Sequence, residues 1–300
     1  MKIEYRRPTK LDSPESNVDP SRRFLVEGDS WFSMGSFPPK ATYPNLLSAI
    51  KLSDDVQYVN LAKPGAVMVR MAKRREEDPF FEPLLGPKEK RYWGAVFLSG
   101  GGNDLIDLLG VSPKDENGQP RPAKDRLLWT GEEAGPVGSL DRYISGKGWE
   151  EFSRYLHEHY KIVAAIRDSG RSSSRPIVAH TYSTPTARDA GSRGGKGGWL
   201  YPKLVTYGIP AADRQPLTEL IFGMLRTLLL SFDSDSNSDR AIPRLHVFDS
   251  AAIPLIKAPP GSVGDKGDWI NEIHLNAKGY RKIGRKMGPW FEDLLKTRYS

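Results

Sequence analysis

The sequence predicts an α/β protein built on a parallel sheet with helices on both faces, and three observations predict it. Short apolar runs alternate with longer helix-period stretches along most of the chain, the pattern of strand, crossover helix and next strand. Turn residues bound most of these runs, as expected where a strand leaves a sheet. A length of 300 residues suffices for one large core or two modest ones, and we read one.

The elements follow in order. Residues 1–22 are polar, with three prolines and little periodicity, and read as an extended or disordered lead-in to a single domain over 23–300. Strands are expected at 24–27, 56–61, 95–99, 177–181 and 245–248, each short and apolar or β-branched. Helices are expected at 43–51, 67–77, 149–167, 216–231 and from 276 to about 296. Five such strands suit a flavodoxin-like order. Two long segments, 109–147 and 183–214, interrupt the rhythm after the C-terminal ends of strands, the edge where open parallel sheets bind ligands. The second carries a glycine-rich run over 191–198 and then Trp199, Tyr201 and Tyr207, which read equally well as a substrate wall or as anchors for the loop. No internal repeat is present, and the Asp/Ser-rich stretch 233–239 reads as a solvated loop.

Composition removes several chemistries. The chain has no cysteine, so thiol catalysis, disulfides and Cys-ligated zinc are excluded. The charged opening residues are followed by no apolar stretch, so no secretory signal is expected and the cytoplasm is the default compartment, with export by another route left open. The most apolar segment, 217–232, is interrupted by Glu219 and Arg226 and reads as a core helix rather than a membrane span. The net charge of +7 is spread over scattered cations. Even its densest group, Arg70, Lys73, Arg74 and Arg75, reads as a solvated helix face, so no nucleic-acid partner is expected, while peripheral contact with anionic lipid stays open.

Four short blocks carry the chemistry. Gly28-Asp29-Ser30 follows the apolar run Phe24-Leu25-Val26 and presents a hydroxyl at the rim of the sheet. Gly65 lies just before a helix, where a backbone N–H without a side chain beside it can approach an anion. Gly100-Gly101-Gly102-Asn103-Asp104 ends the third strand, and the Asn103 amide can donate a hydrogen bond without bringing charge. No P-loop Lys-Ser/Thr follows these glycines, so a phosphate cradle is disfavoured. Asn271-Glu272-Ile273-His274 then places an imidazole at the entry to the last helix.

Serine, glycine, asparagine and histidine in this order resemble the SGNH, or GDSL-type, esterase and lipase family, over roughly residues 24–280. The resemblance implies a three-layer α/β/α sandwich and a serine hydrolase with no cofactor or metal. Ser30 would be the nucleophile and His274 its base, and the N–H groups of Ser30 and Gly65 with the Asn103 side chain would form the oxyanion hole. Asp29 reads as shaping the turn. The chain departs from the family at one place, with Asn271 where the family commonly has an aspartate three residues before its histidine. Asparagine can orient an imidazole through its carbonyl oxygen but supplies no charge for the imidazolium. In serine proteases the Asp-to-Asn change lowers turnover by about four orders of magnitude. Asn271, Asp268, Asp249 or a Ser–His dyad are the alternatives, Asn271 and Asp268 being favoured, and Glu272 is expected to point elsewhere.

Other sites are weaker. Gly28-Asp29-Ser30-Trp31-Phe32 lacks the spacing of the Gly-x-Ser-x-Gly elbow. His157 and His159 stand two apart on a helix and face different sides. His180 reads as a satisfied, partly buried histidine that could line the cleft, and His246 as structural. The expected activity is hydrolysis of an acyl ester: a short-chain ester, an acetylated sugar, a lysophospholipid or a thioester. An acyltransferase at the same site, or an SGNH scaffold that binds without catalysis, are the alternatives; a nucleic-acid or anionic-membrane binder is weaker still.

Overall fold

Six parallel strands form one sheet in the computed structural model, which describes residues 3–6, 19–33, 44–72, 81–88, 91–136, 138–192 and 195–300. They are β1 (Ile3–Arg6), β2 (Arg23–Gly28), β3 (Val56–Asn60), β4 (Ala95–Ser99), β5 (Ile177–His180) and β6 (Leu245–Phe248), in the spatial order β1-β3-β2-β4-β5-β6. The five expected strands are all present, and their order is the flavodoxin-like one. The sixth corrects the reading of the lead-in: Ile3–Arg6 pairs along β3 in the register Ile3↔Val56 to Arg6↔Val59. Four residues of alternating apolar and charged type are too short to announce an edge strand by periodicity alone.

The helices are α1 (Ser30–Ser33), α2 (Leu46–Ala49), α3 (Met68–Ala72), α4 (Phe81–Leu85), α5 (Gly102–Leu109), α6 (Gly131–Ala134), α7 (Gly146–Ser169), α8 (Tyr201–Thr206), α9 (Ala211–Leu230) and α10 (Ala277–Arg298). On one face α2 and α10 touch each other, and on the other α7 meets α3 and α4, as expected where parallel strands are joined by right-handed crossovers. The first face is seamed by aromatic rings. Phe291 of α10 stacks edge-on against Phe24 and Phe97, with centroids 5.3 and 4.8 Å apart. Strands buried on both sides explain why the runs read as continuous apolar stretches.

Several boundaries differ from expectation. The helix expected from Pro216 begins at Ala211, because Pro210 stands at its N-cap and Pro216 falls inside, in its second turn. The helix expected from Trp149 starts at Gly146, capped by the Ser145 hydroxyl, which accepts the Gly148 N–H. The two long segments carry short elements of their own, α6 in one and α8 in the other. Tyr43, residues 73–77 of the second expected helix with Lys73, Arg74 and Arg75, and residues 193–194 of the glycine-rich run lie outside the described residues. Among the described residues no helix is long and apolar enough to cross a membrane.

Candidate active site

The central strands β2 and β4 lie side by side, and the chain departs from them in opposite directions, β2 towards β3 and β4 towards β5. Loops that diverge this way leave a crevice at the C-terminal edge of the sheet. Ser30 enters it from β2 and Asn103 from β4. Gly28 is required where the two strands close up: its φ is +155°, and a Cβ there would stand 2.7 Å from the Ser99 Cβ. Gly101, at φ +105°, turns the chain out of β4 into α5.

His274 arrives from the loop before α10 and reaches the same point. Its Nε2 lies 2.6 Å from the Ser30 Oγ. Its Nδ1 lies 3.1 Å from the Asn271 Oδ1. That oxygen also accepts the backbone N–H groups of Ile273 at 3.1 Å and His274 at 2.8 Å. It is therefore the carbonyl end of the amide, so Nδ1 carries the ring proton and Nε2 is left to accept from Ser30. Ser30, Asn271 and His274 are all buried. Burial holds the imidazole neutral, pushing its pKa down to about 4. A neutral Nε2 facing a serine hydroxyl is the arrangement a general base needs.

The other candidate orienters are engaged elsewhere. The structure corrects Asp268: its Oδ2 accepts the Ile256 N–H at 2.6 Å and the Lys282 ammonium at 2.5 Å, fastening the loop to α10 instead of reaching His274. Asp249 binds the Arg226 guanidinium and the Thr181 hydroxyl. Glu272 points away, as expected, and its carboxylate gathers four backbone N–H groups of the long loop: Arg188 at 3.2 Å, Trp199 at 2.5 Å, Leu200 at 2.7 Å and Tyr201 at 2.8 Å. The buried Arg188 guanidinium donates to the Asn271 carbonyl at 2.8 Å. These links couple the loop to the histidine and bring the Trp199 ring edge-on to His274, 5.5 Å between centroids. Tyr207 anchors the loop, its hydroxyl donating to the Val111 carbonyl. Neither the Glu272 nor the Arg188 role was legible in sequence, because each is a contact to backbone groups some 70 to 85 residues away.

Asn103 lines the cavity beside Ser30, and its Nδ2 donates to the Ala66 carbonyl at 3.0 Å, leaving the second amide hydrogen for a ligand. Gly65, at φ +75°, sits next to that carbonyl, is exposed, and is not among the residues lining the cavity. The Ser30 N–H opens α1, and the first N–H groups of a helix have no intrahelical acceptor. The remaining walls are Asp29, Trp31, Gly102, Ile106, Tyr182, Ser183, Pro185, Phe222 and Ile273, and the described residues leave a cavity of about 20 Å³.

The remaining histidines are structural. His180 is fully buried rather than partly so and does not line the cavity. His157 stacks on Phe232, His159 holds the Tyr155 carbonyl, and His246 pairs with the Tyr299 hydroxyl.

No family model matches the sequence, and no curated protein matches it. Among solved structures, the chain is similar to phospholipase A1 from Streptomyces albidoflavus NA297, at 13% identity and a TM-score of 0.46 over 90% of this chain and 98% of that one. It is similar to an extracellular lipase from Streptomyces rimosus, at 15% identity and a TM-score of 0.40 over 88% and 98%. A carbohydrate acetylesterase from Sinorhizobium meliloti shares 11% identity at a TM-score of 0.43, over 91% and 99%. These are likenesses of layout; the chemistry rests on the atoms of the site itself.

Proposed function

We propose that this chain is a serine ester hydrolase of the SGNH type. The observation that carries the reading is the chain of contacts from the Ser30 Oγ to the His274 Nε2, at 2.6 Å, and from the His274 Nδ1 to the Asn271 Oδ1, at 3.1 Å. As the Ser30 oxygen attacks an ester carbonyl, its proton passes to Nε2, and Asn271 keeps the ring in the tautomer that can receive it. The oxyanion faces the Ser30 N–H and the free hydrogen of the Asn103 amide, while Gly65, exposed and outside the cavity lining, is left out of the oxyanion hole. Collapse expels the alcohol, which takes the proton from Nε2. Water then adds to the acyl-enzyme, gives a proton to Nε2, and releases the carboxylic acid as Ser30 regains its hydrogen.

The cavity's size favours a small acyl group. A water-sized site needs about 10–15 Å³, so a cavity of about 20 Å³, lined by Asp29, Tyr182 and Ser183 as well as by apolar side chains, suits an acetyl group better than a fatty chain. The test is labelling by a fluorophosphonate, together with hydrolysis of p-nitrophenyl esters of graded chain length. Wild type is expected to label and to favour acetate, and Ser30→Ala to do neither while keeping its melting temperature. Wild type that neither labels nor cleaves any ester would leave a binding scaffold as the correct reading.

A further inference from the structure

Beneath the nucleophile lies a fully buried polar cluster that the proposed reaction does not use: Asp29, Ser99, His180 and Tyr182. Its contacts can be counted in protons. The His180 Nδ1 faces the Thr181 carbonyl at 2.7 Å, and a carbonyl only accepts, so this nitrogen carries a hydrogen. Three more contacts under 3.0 Å remain, beside a longer one of 3.2 Å between the Ser99 Oγ and the Tyr182 hydroxyl. The Tyr182 hydroxyl reaches the Asp29 Oδ2 at 2.6 Å, and the Ser99 Oγ lies 2.8 Å from the Asp29 Oδ1 and 2.9 Å from the His180 Nε2. With an ionised carboxylate and a neutral imidazole, two hydroxyl hydrogens must serve three contacts. One pair would then meet lone pair to lone pair, which is unfavourable for buried polar groups.

We propose that this cluster holds one additional proton, carried by Asp29, whose carboxylic acid donates to Ser99 while the Ser99 hydroxyl donates to His180. Each contact under 3.0 Å then has its hydrogen, only the 3.2 Å approach of the Ser99 Oγ to the Tyr182 hydroxyl is left without one, and no group in the cluster is charged. The other placement, carboxylate and imidazolium bridged by Ser99, buries two charges away from bulk solvent, which hydrogen bonds from Trp31 and Tyr182 and to Thr181 offset only in part. Burial works against both, pushing the Asp29 carboxyl up to about 6 and the His180 imidazole down to about 4. Turning the Ser99 hydroxyl towards His180 removes a donor from the carboxylate and raises Asp29 further. Of the titratable groups around it, Asp104 favours the acid, while the Tyr182 hydroxyl, by its hydrogen bond, favours the carboxylate. Asp104 on α5 is an acid, and Tyr160 on α7, Tyr182 after β5 and Tyr280 on α10 carry no charge at neutral pH. Among the described residues, none of Asp29's hydrogen-bond partners is a cation.

The consequence rests on the hydrolase reading. Asp29 adjoins Ser30 and its Oδ1 accepts the Trp31 N–H, so it is a positioning residue for the turn that carries the nucleophile. Kept neutral, it sets no negative charge beside the point where the oxyanion forms.

The proton is tested on the resting protein, independently of activity. Infrared difference spectra of wild type minus Asp29→Asn at pH 7 are expected to contain a protonated-carboxyl C=O band that shifts in Ser99→Ala. Imidazole ¹⁵N spectra of wild type, which need no stable variant, are expected to show His180 as the neutral Nδ1–H tautomer with a hydrogen-bonded Nε2. An ionised Asp29 carboxylate at pH 7, or an imidazolium at His180, overturns the proposal. Fluorophosphonate labelling of wild type is expected to fall at least threefold through an alkaline step that Asp29→Asn lacks. If that step persists unchanged in Asp29→Asn, the positioning role is wrong. If wild type never labels, the hydrolase reading fails and the spectra still decide the proton.

Discussion

Replacing Asn271 by aspartate tests the weakest point of the triad. The new carboxylate would stand about 3.1 Å from the His274 Nδ1, where Asn271 Oδ1 now stands. Two unit charges about 4 Å apart at an effective dielectric constant of about 20 attract by about 4 kcal/mol, equivalent to about 3 pKa units on the imidazole. The N–H groups of Ile273 and His274 already point at this oxygen and would solvate part of the charge, but the site is buried, so desolvation takes some of the gain back. A net rise of about 1–3 units is expected. In wild type the base stays neutral down to about 4, so activity falls only below that pH. In Asn271→Asp the acid limb moves up to between about 5 and 7, and kcat/KM on the plateau rises at least about tenfold as the imidazolium gains a counter-charge. The assay is the pH profile of p-nitrophenyl acetate hydrolysis from pH 3.5 to 9. A variant whose limb and plateau both coincide with wild type would refute the assignment of Asn271 as the orienter.

Three further outcomes are expected. Asn103→Ala removes an oxyanion donor and lowers kcat by about 10²–10³, measured against fluorophosphonate-titrated enzyme; a change confined to KM would place Asn103 in substrate binding only. Asp268→Ala strips the acceptor from the Ile256 N–H and the Lys282 ammonium and costs about 1–3 kcal/mol in urea denaturation, while the acid limb of activity stays in place, because this carboxylate does not touch His274. His274 titrates near 4 in the fold and near its ordinary 6.5 when unfolded, so between these values the unfolded chain binds the extra proton and stability rises with pH. His274→Gln should remove about 3 kcal/mol of that rise, and chemical denaturation at pH 4 and pH 7 measures it.

The order of the strands and the residues of the site were legible for different reasons. Buried parallel strands are continuous apolar runs, so β2 to β6 stood out, whereas Ile3–Arg6 gains its identity only from the β3 edge it pairs with. Ser30, Asn103 and His274 could be read as a set because glycines and turn residues mark the loops that present them. The orienter could not be read, since Asn271, Asp268 and Asp249 are all near enough in sequence and differ only in where the backbone aims them.

By itself, then, the sequence determined an α/β parallel sheet and a serine, amide and imidazole at its C-terminal edge, because periodicity and turn chemistry are local properties of a chain. The tertiary structure alone decided what surrounds them. It set Asn271 against the imidazole, turned Asp268 to Lys282, and tied the 183–214 loop to Glu272. It also buried Asp29 against Ser99 and His180. Each of these is a hydrogen bond whose direction depends on a loop's path and whose strength depends on exclusion of water, and neither quantity exists until the chain has folded.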